Sequence, residues 1–271
     1  NELATIDEQS TAAQVADRVV LSDVGAARRL GELAPGAPLE VLLAVDLGDR
    51  REGVLPEDAT AAARQLASLP GISLSGIAVN FACLSGQLPS QTLFRAAEDI
   101  LAGVADACAA EPLLSLGGTC CLQHLDGHAP RVATEVRSGG GPLYGYDFVS
   151  GGPLEGLERR DPVLTAAVLE CSRKPPAPPS EVGCDAFGHV PDADLPGDDA
   201  WYALVGLGRR DCEPAGLRPL LEGARVAGMT SDVGVVIVPA PVAPGDELSF
   251  AVDYDALVRA VTSPFVTLEC I

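Results

Sequence analysis

The stretch Val41-Leu42-Leu43-Ala44-Val45-Asp46-Leu47-Gly48-Asp49-Arg50-Arg51-Glu52-Gly53 constrains the fold more than any other part of this chain. A continuous apolar run that breaks into glycine and charge reads as a strand covered on both faces and ending in a turn. Such strands belong to parallel sheets flanked by helices, and in those sheets chemistry gathers beyond the carboxyl ends of the strands. Arg50 and Arg51 are therefore candidates to face a site. A solvated turn, in which they pair with the neighbouring Asp and Glu, is the competing reading.

The same rhythm recurs on both sides of this stretch. Residues 12–16 read as a helix feeding a strand at 19–22, and residues 23–33 as a helix with Val24, Ala27, Leu30 and Leu33 at helical spacing, stopped by Pro35-Gly36. Pro56-Glu57-Asp58 opens a helix that Pro70-Gly71 ends. A strand over 72–79 runs into Asn80 and a loop over 81–89, and a long amphipathic helix is expected over 91–110. Strands over 113–116 and 132–136 break at Gly117-Gly118 and Gly139-Gly140-Gly141. Strand and helix alternating through short links imply right-handed βαβ units and an α/β fold. From residue 148 the rhythm changes. A stiff proline run over 175–179 and strands expected at 165–170, 202–207, 233–238, 247–252 and 266–268 describe a second, mostly β domain. The expected division is thus 1–147 and 148–271.

A formal charge of -20 argues against nucleic acid or an anionic membrane as partner, since either would repel such a surface. An anionic ligand would need a locally arranged pocket. No apolar run approaches the roughly 20 residues that span a bilayer. The eight cysteines are dispersed without a CxxC pair, and no stretch reads as a signal peptide. Buried thiols in a reducing compartment, and hence a cytoplasmic protein, are expected. The first residue is Asn1 rather than Met, which leads to the expectation that the natural chain continues upstream or has been processed.

Three glycine-bearing strand ends can each present backbone N–H groups to a phosphate: Gly48-Asp49-Arg50-Arg51, Leu116-Gly117-Gly118-Thr119-Cys120 and Arg137-Ser138-Gly139-Gly140-Gly141. A plain turn is the alternative at each. Their order and spacing carry more than any one of them. Val132-Ala133-Thr134-Glu135-Val136-Arg137-Ser138-Gly139-Gly140-Gly141-Pro142-Leu143-Tyr144-Gly145 resembles the last barrel strand of alanine racemase and its relatives. Val45 to Gly53 resembles the matching middle strand, most closely in the ornithine racemase branch. Lys174-Pro175, Asp185-Ala186-Phe187-Gly188, Gly208-Arg209-Arg210-Asp211, Gly228-Met229-Thr230-Ser231-Asp232, Gly245-Asp246-Glu247, Tyr254-Asp255-Ala256-Leu257 and Thr262-Ser263-Pro264 are similar to that branch in the same order.

The resemblance implies a (β/α)8-type barrel, incomplete at its N-terminus, followed by a mostly β domain. It implies pyridoxal 5'-phosphate as cofactor, an amino acid as substrate and a homodimer. Residue by residue, it matches Arg51 to the arginine near the cofactor's phenolic oxygen and Asn80 to a residue packing on the pyridine ring. Gly118, Thr119 and Cys120 match the first phosphate loop, Gly139 and Gly140 the second, and Arg137 the arginine that hydrogen-bonds the ring nitrogen. The chain departs from the pattern in several places. It starts near the third barrel strand, and the family's Schiff-base lysine, on the first strand, has no counterpart. The sole lysine, Lys174, matches a position at the start of the β domain. Cys120 replaces a serine, Thr119 an asparagine, Val233 a histidine and Gly140 a glutamate.

Three functional expectations follow. One is a racemase of a small basic or neutral amino acid, with its lysine supplied by an N-terminal segment or a separate fragment. The second is a degenerate, lysine-less, non-catalytic relative that binds a phosphate-bearing ligand or a protein partner; the third is a cofactor-independent biosynthetic enzyme using a cysteine such as Cys83 or Cys120. Among further residues, Cys83 at a strand mouth is a candidate acid, base or nucleophile, with a buried structural thiol as alternative. Asp232 is a candidate because the family brings this segment near a partner's active site. Cys120, Cys121, His124 and His128 fit no common zinc spacing, so the two histidines and His189 are expected on loop surfaces. Asp192, Asp194, Asp198 and Asp199 lack the alternation of a calcium loop and are expected to be a solvated acidic loop.

Overall fold

A computed structural model describes residues 6–34, 36–125, 127–128, 130–176, 181, 183–188, 190 and 196–269. His189, Asp192, Asp194 and residues 177–179 of the proline run lie outside the described residues. The chain divides into two units, Asn1–Arg159 and Arg160–Ile271.

The first unit follows the expected alternation: α1 (Ile6–Val15), β1 (Arg18–Leu21), α2 (Val24–Leu33), β2 (Leu39–Val45), α3 (Ala59–Ala67), β3 (Ile72–Asn80), α4 (Gln91–Val104), β4 (Leu113–Gly117), α5 (Cys120–His124), β5 (Ala133–Arg137) and α6 (Gly140–Tyr144). A short ribbon, β6 (Tyr146–Asp147) and β7 (Gly152–Pro153), completes it. The sheet order is β1-β2-β3-β4-β5, with every pairing parallel. β2 is buried nearly throughout, as its unbroken apolar run requires. Side-chain caps start α2 and α4: Asp23 accepts from Ala26 N, and Ser90 from Leu93 N. α4 buries Phe94, Ala97, Leu101 and Val104, and each large side chain removed from water stabilises the fold by about 1.5–3 kcal/mol.

The sheet is strongly curved. A flat five-stranded sheet holds its outer strands about 19 Å apart. Yet Arg18 on β1 pairs with Glu40 on β2 at 2.8 Å and reaches Glu135 on β5 at 3.4 Å. The two edges therefore approach across one concave face. A bulge in β3 helps to bend it. Leu74 pairs with Val41 and Gly76 with Leu42, so Ser75 has no partner in the ladder and its hydroxyl donates to Val41 O at 3.2 Å. Gly76 has φ +150, and a Cβ there would run into the backbone of Leu113.

The second unit is an antiparallel sheet in the order β10-β13-β8-β9-β12-β11. Its strands are β8 (Val163–Lys174), β9 (Ala200–Val205), β10 (Leu217–Pro219), β11 (Arg225–Met229), β12 (Gly234–Val238) and β13 (Glu247–Val252), followed by α7 (Tyr254–Thr262). Alternate residues Leu164, Ala166 and Val168 of β8 enter a core with Val205, Val236 and Phe250. β10 and β11 were not anticipated. The strand expected at 266–268 is absent, a correction with a local cause. After α7, Phe265 N donates to Ser263 Oγ, and Ser263 Oγ donates to buried Asp211, so side chains rather than a ladder hold this segment. Among the described residues no helix is long and apolar enough to cross a membrane.

Candidate active site

The turn after β2 is an excursion closed at its base. The chain leaves at Asp46 and returns at Val54, with Asp46 N donating to Val54 O and Val54 N to Ala44 O, both at 3.0 Å. The Asp46 carboxylate accepts from Gly48 N at 2.8 Å and Arg50 N at 3.1 Å, the Asx geometry that lets Arg50 hold φ +59. Gly53, at φ +129, lies against the backbone of Val45 and Asp46, where a Cβ would collide. Asp49 is buried, and its Oδ1 accepts from Leu84 N and Ser85 N, tying this turn to the loop after β3.

That framing turns Arg51 and Glu52 to one side, beside side chains from β3, β4 and β5. Glu52 accepts from Arg51 Nε and Nη2, and its Oε1 also accepts from Asn80 Nδ2 at 2.8 Å. Asn80 Oδ1 accepts from Arg137 Nη2 at 2.9 Å, and Arg137 Nη1 donates to Ser115 Oγ. Ser115 Oγ donates to Glu135 Oε1 at 2.6 Å. Arg51 Nη1 donates to Cys83 Sγ. A cavity of about 340 Å³ is lined by Arg18, Val20, Arg51, Glu52, Asn80 and Arg137, among others. The hydrogen bond from Arg51 holds Glu52 below the usual carboxylate range, and the same bond raises Arg51. Burial pushes Arg137 down, opposed by Glu135, Cys121 and Glu52.

The two glycine loops beyond β4 and β5 touch. Thr119 Oγ1 lies 3.0 Å from Ser138 Oγ and accepts from Gly141 N at 3.2 Å. Gly139 has open space where a Cβ would stand, and Gly140 meets only Thr119 Oγ1 at 3.9 Å. Gly118 differs from expectation: its N–H donates to Arg137 O at 3.1 Å and is committed to joining the loops. Cys120 is fully buried with its thiol 4.0 Å from Phe81 O, so any contact it makes with an anion is through its backbone. The hydrogen bond shared with Cys120, together with burial, pushes the Cys121 thiol far up.

Other candidates sort clearly. Cys83 is exposed, not a buried structural thiol, and it touches Arg51. His128 is a correction. It is 7% exposed and its Nε2 lies 3.1 Å from Oε1 of Glu98, which also accepts from Arg95 and Arg131. His124 Nδ1 lies 2.9 Å from Cys120 O. Asp198 and Asp199 are exposed, Asp199 3.6 Å from Arg173. Asp232 is exposed and accepts from Thr230 and Ser231 hydroxyls. Lys174 ends β8, its Nζ 5.6 Å from the Tyr202 ring. Sequence reasoning passed over Glu52 and Ser115, and it saw Gly117 only as part of a phosphate loop. Ser115, a hydroxyl inside the apolar strand Leu113–Gly117, was the most readable of them.

Residues 3–147, more than half of the chain, match the family described as alanine racemase, N-terminal domain. The chain belongs to this family. Every residue of the Arg51–Glu52–Asn80–Arg137 cluster, and both glycine loops, fall inside the matched segment. The chain is 30% identical over 256 residues to a lysine racemase of Thermotoga maritima, covering 92% of this chain and 71% of that protein. It is 29% identical over 240 residues to an ornithine racemase of Acetoanaerobium sticklandii, covering 84% and 66%. Among solved structures, an alanine racemase of Clostridium difficile 630 superposes with TM-score 0.65 at 18% identity, over 98% of this chain and 70% of that one. A D-threonine aldolase of Filomicrobium marinum gives TM-score 0.65 at 17% identity, over 96% and 68%. At such identities the likeness is one of fold, and one fold hosts more than one reaction.

Proposed function

We infer that this chain forms an amino-acid racemase site that works with pyridoxal 5'-phosphate on a small basic or neutral amino acid. The observation that carries this is the cavity in which Arg51 and Arg137 stand on either side of Asn80, at the carboxyl ends of β2, β3 and β5. The donor set fits the cofactor. Arg137 would hold the ring nitrogen through an N–H, which disfavours its protonation; Arg51 would hold the phenolic oxygen; Asn80 would lie against the ring. Thr119, Gly139 and Gly140 would take the phosphate with hydroxyl and backbone N–H groups. Pyridoxal phosphate, when bound, supplies an electron sink that makes the α-proton of an amino acid removable. Names of the relatives at about 30% identity, lysine and ornithine racemase, support the basic amino acids as first substrates to try.

Racemisation of this kind also requires an amine at the cavity. Lys174, the sole lysine, matches a position at the start of the family's β domain and not its Schiff-base lysine, so the amine is taken to come from polypeptide outside these 271 residues. A homodimer, a cytoplasmic location and a division into a barrel-type domain over 1–147 and a β domain over 148–271 belong to the same proposal. That residues 1–147 contain no lysine favours a second reading, a relative that binds a phosphate-bearing ligand without catalysis. One experiment separates them. The natural full-length polypeptide is incubated with pyridoxal phosphate and L-lysine, L-ornithine or L-alanine, and the enantiomers are resolved by chiral chromatography. A D-enantiomer accumulating only with cofactor supports the racemase. Tight cofactor binding with no D-enantiomer, and no covalent retention after borohydride, overturns it in favour of the second reading.

A further inference from the structure

We propose that Glu52 is the positioning residue of this cavity: its carboxylate fixes Arg51 and sets which way the Asn80 carboxamide faces, and through Asn80 it aims Arg137. The inference rests on the pyridoxal phosphate reading for its ligand but not for its geometry.

Neighbours on an extended strand point to opposite faces, yet Arg51 and Glu52 meet side by side. The excursion between Asp46 and Val54 makes this possible, with Arg50 and Gly53 in positive-φ conformations on either side of the pair. An arginine has five N–H donors. Arg51 commits its Nε and one Nη2 hydrogen to Glu52 and one Nη1 hydrogen to Cys83, which leaves the remainder for a ligand in the cavity it lines. Without Glu52, a half-exposed arginine at the end of a turn would be free to sample many rotamers.

The second effect follows from acceptor chemistry. An ionised carboxylate only accepts, and the hydrogen bond from Arg51 holds Glu52 ionised below the usual range. Asn80 must therefore turn its Nδ2 to Glu52, and then its Oδ1 can only face Arg137 Nη2. A glutamine at 52 has one acceptor oxygen and an N–H group in place of the other, so it cannot receive Arg51 Nε, Arg51 Nη2 and Asn80 Nδ2 together as the carboxylate does. Glu52 thus acts on Arg137 through Asn80, without a hydrogen bond to Arg137 itself.

The test compares the wild-type chain with Glu52→Gln and Glu52→Asp, using two measurements. The first needs no ligand: arginine Nε–H and asparagine side-chain amide signals in nitrogen-15 spectra, assigned with Arg51→Lys and Asn80→Ala. Slowly exchanging Arg51 and Asn80 signals in the wild type that are lost in Glu52→Gln and partly restored in Glu52→Asp support the proposal. Unchanged signals in a Glu52→Gln variant overturn it. The second is fluorescence titration with pyridoxal phosphate, where losing a charged hydrogen-bond anchor predicts about tenfold weaker binding in Glu52→Gln. Equal affinity in the two proteins overturns the ligand side of the proposal. If the wild type fails to bind pyridoxal phosphate while the side-chain signals respond as predicted, the cofactor reading falls and the positioning role stands.

Discussion

Arg137 on β5 and Asn80 on β3 meet over a residue that has no side chain. Asn80, Gly117 and Arg137 are direct partners across three adjacent strands, and Arg137 Nη2 donates to Asn80 Oδ1 at 2.9 Å above the middle one. A Cβ on Gly117 would occupy the space of both polar atoms. Gly117→Ala is therefore expected to part the pair and to destabilise the fold by about 2 kcal/mol, within the usual range for overpacking. Urea unfolding measures the second effect, and pyridoxal phosphate titration the first, with affinity falling at least as far as in Glu52→Gln.

Ser115 carries the other side of Arg137. Its hydroxyl accepts from Arg137 Nη1 and donates to Glu135 Oε1, and it is fully buried. Ser115→Ala leaves both charged groups short of a partner on the concave face, a loss of about 1–3 kcal/mol. The expected outcome is a lower urea midpoint with an unchanged slope, because the surface exposed on unfolding stays the same.

Much of this architecture could be read from the sequence, and the limits are physical. Apolar runs ended by glycine or by a polar break located β2, β3, β4 and β5, since burial and turns are local properties. Gly76 inside a strand was not read as the mark of the bulge at Ser75, although glycine is the residue that tolerates φ +150 there. Arg51, Asn80 and Arg137 were named from sequence as residues that face a site. Glu52 was not, because next to Arg51 it reads as half of a solvated pair, and only the excursion between Asp46 and Val54 brings it to Asn80. His128 was misread for a similar reason. A histidine in a loop looks exposed until Glu98 of α4, thirty positions earlier, receives it.

Glu98 gives the fold an acid limit. Burial opposes its ionisation, but hydrogen bonds from the Arg131 backbone and side chain, Arg95 and His128 outweigh it and hold the carboxyl down to about 2 from an ordinary 4.5. A carboxylate depressed in the folded state contributes stability that is fully present above its unfolded value and is lost as pH falls through the folded value. The wild type should therefore lose stability between about pH 4.5 and pH 2. Glu98→Gln, which leaves Arg131 and Arg95 without their buried partner, should be about 3 kcal/mol less stable near neutrality. The gap should close towards pH 2, as followed by thermal unfolding across that range.

Thiol chemistry tests the cavity from its rim. Cys83 and Cys184 are exposed, whereas Cys120, Cys121 and Cys212 are buried, with burial pushing Cys212 up to about 12. Brief treatment of the native protein with iodoacetamide should alkylate Cys83 and Cys184 and spare those three, since only an accessible thiolate reacts. Cys83 sits against Arg51, so a ligand filling the cavity should shield it. Added pyridoxal phosphate is expected to slow alkylation of Cys83 severalfold while leaving Cys184 unchanged, read by peptide mass spectrometry after digestion. Equal slowing at both thiols would point to a general change in exposure. No slowing at either would mean that the cofactor does not enter beside Arg51, and the assignment of that arginine to the phenolic oxygen would fall with it.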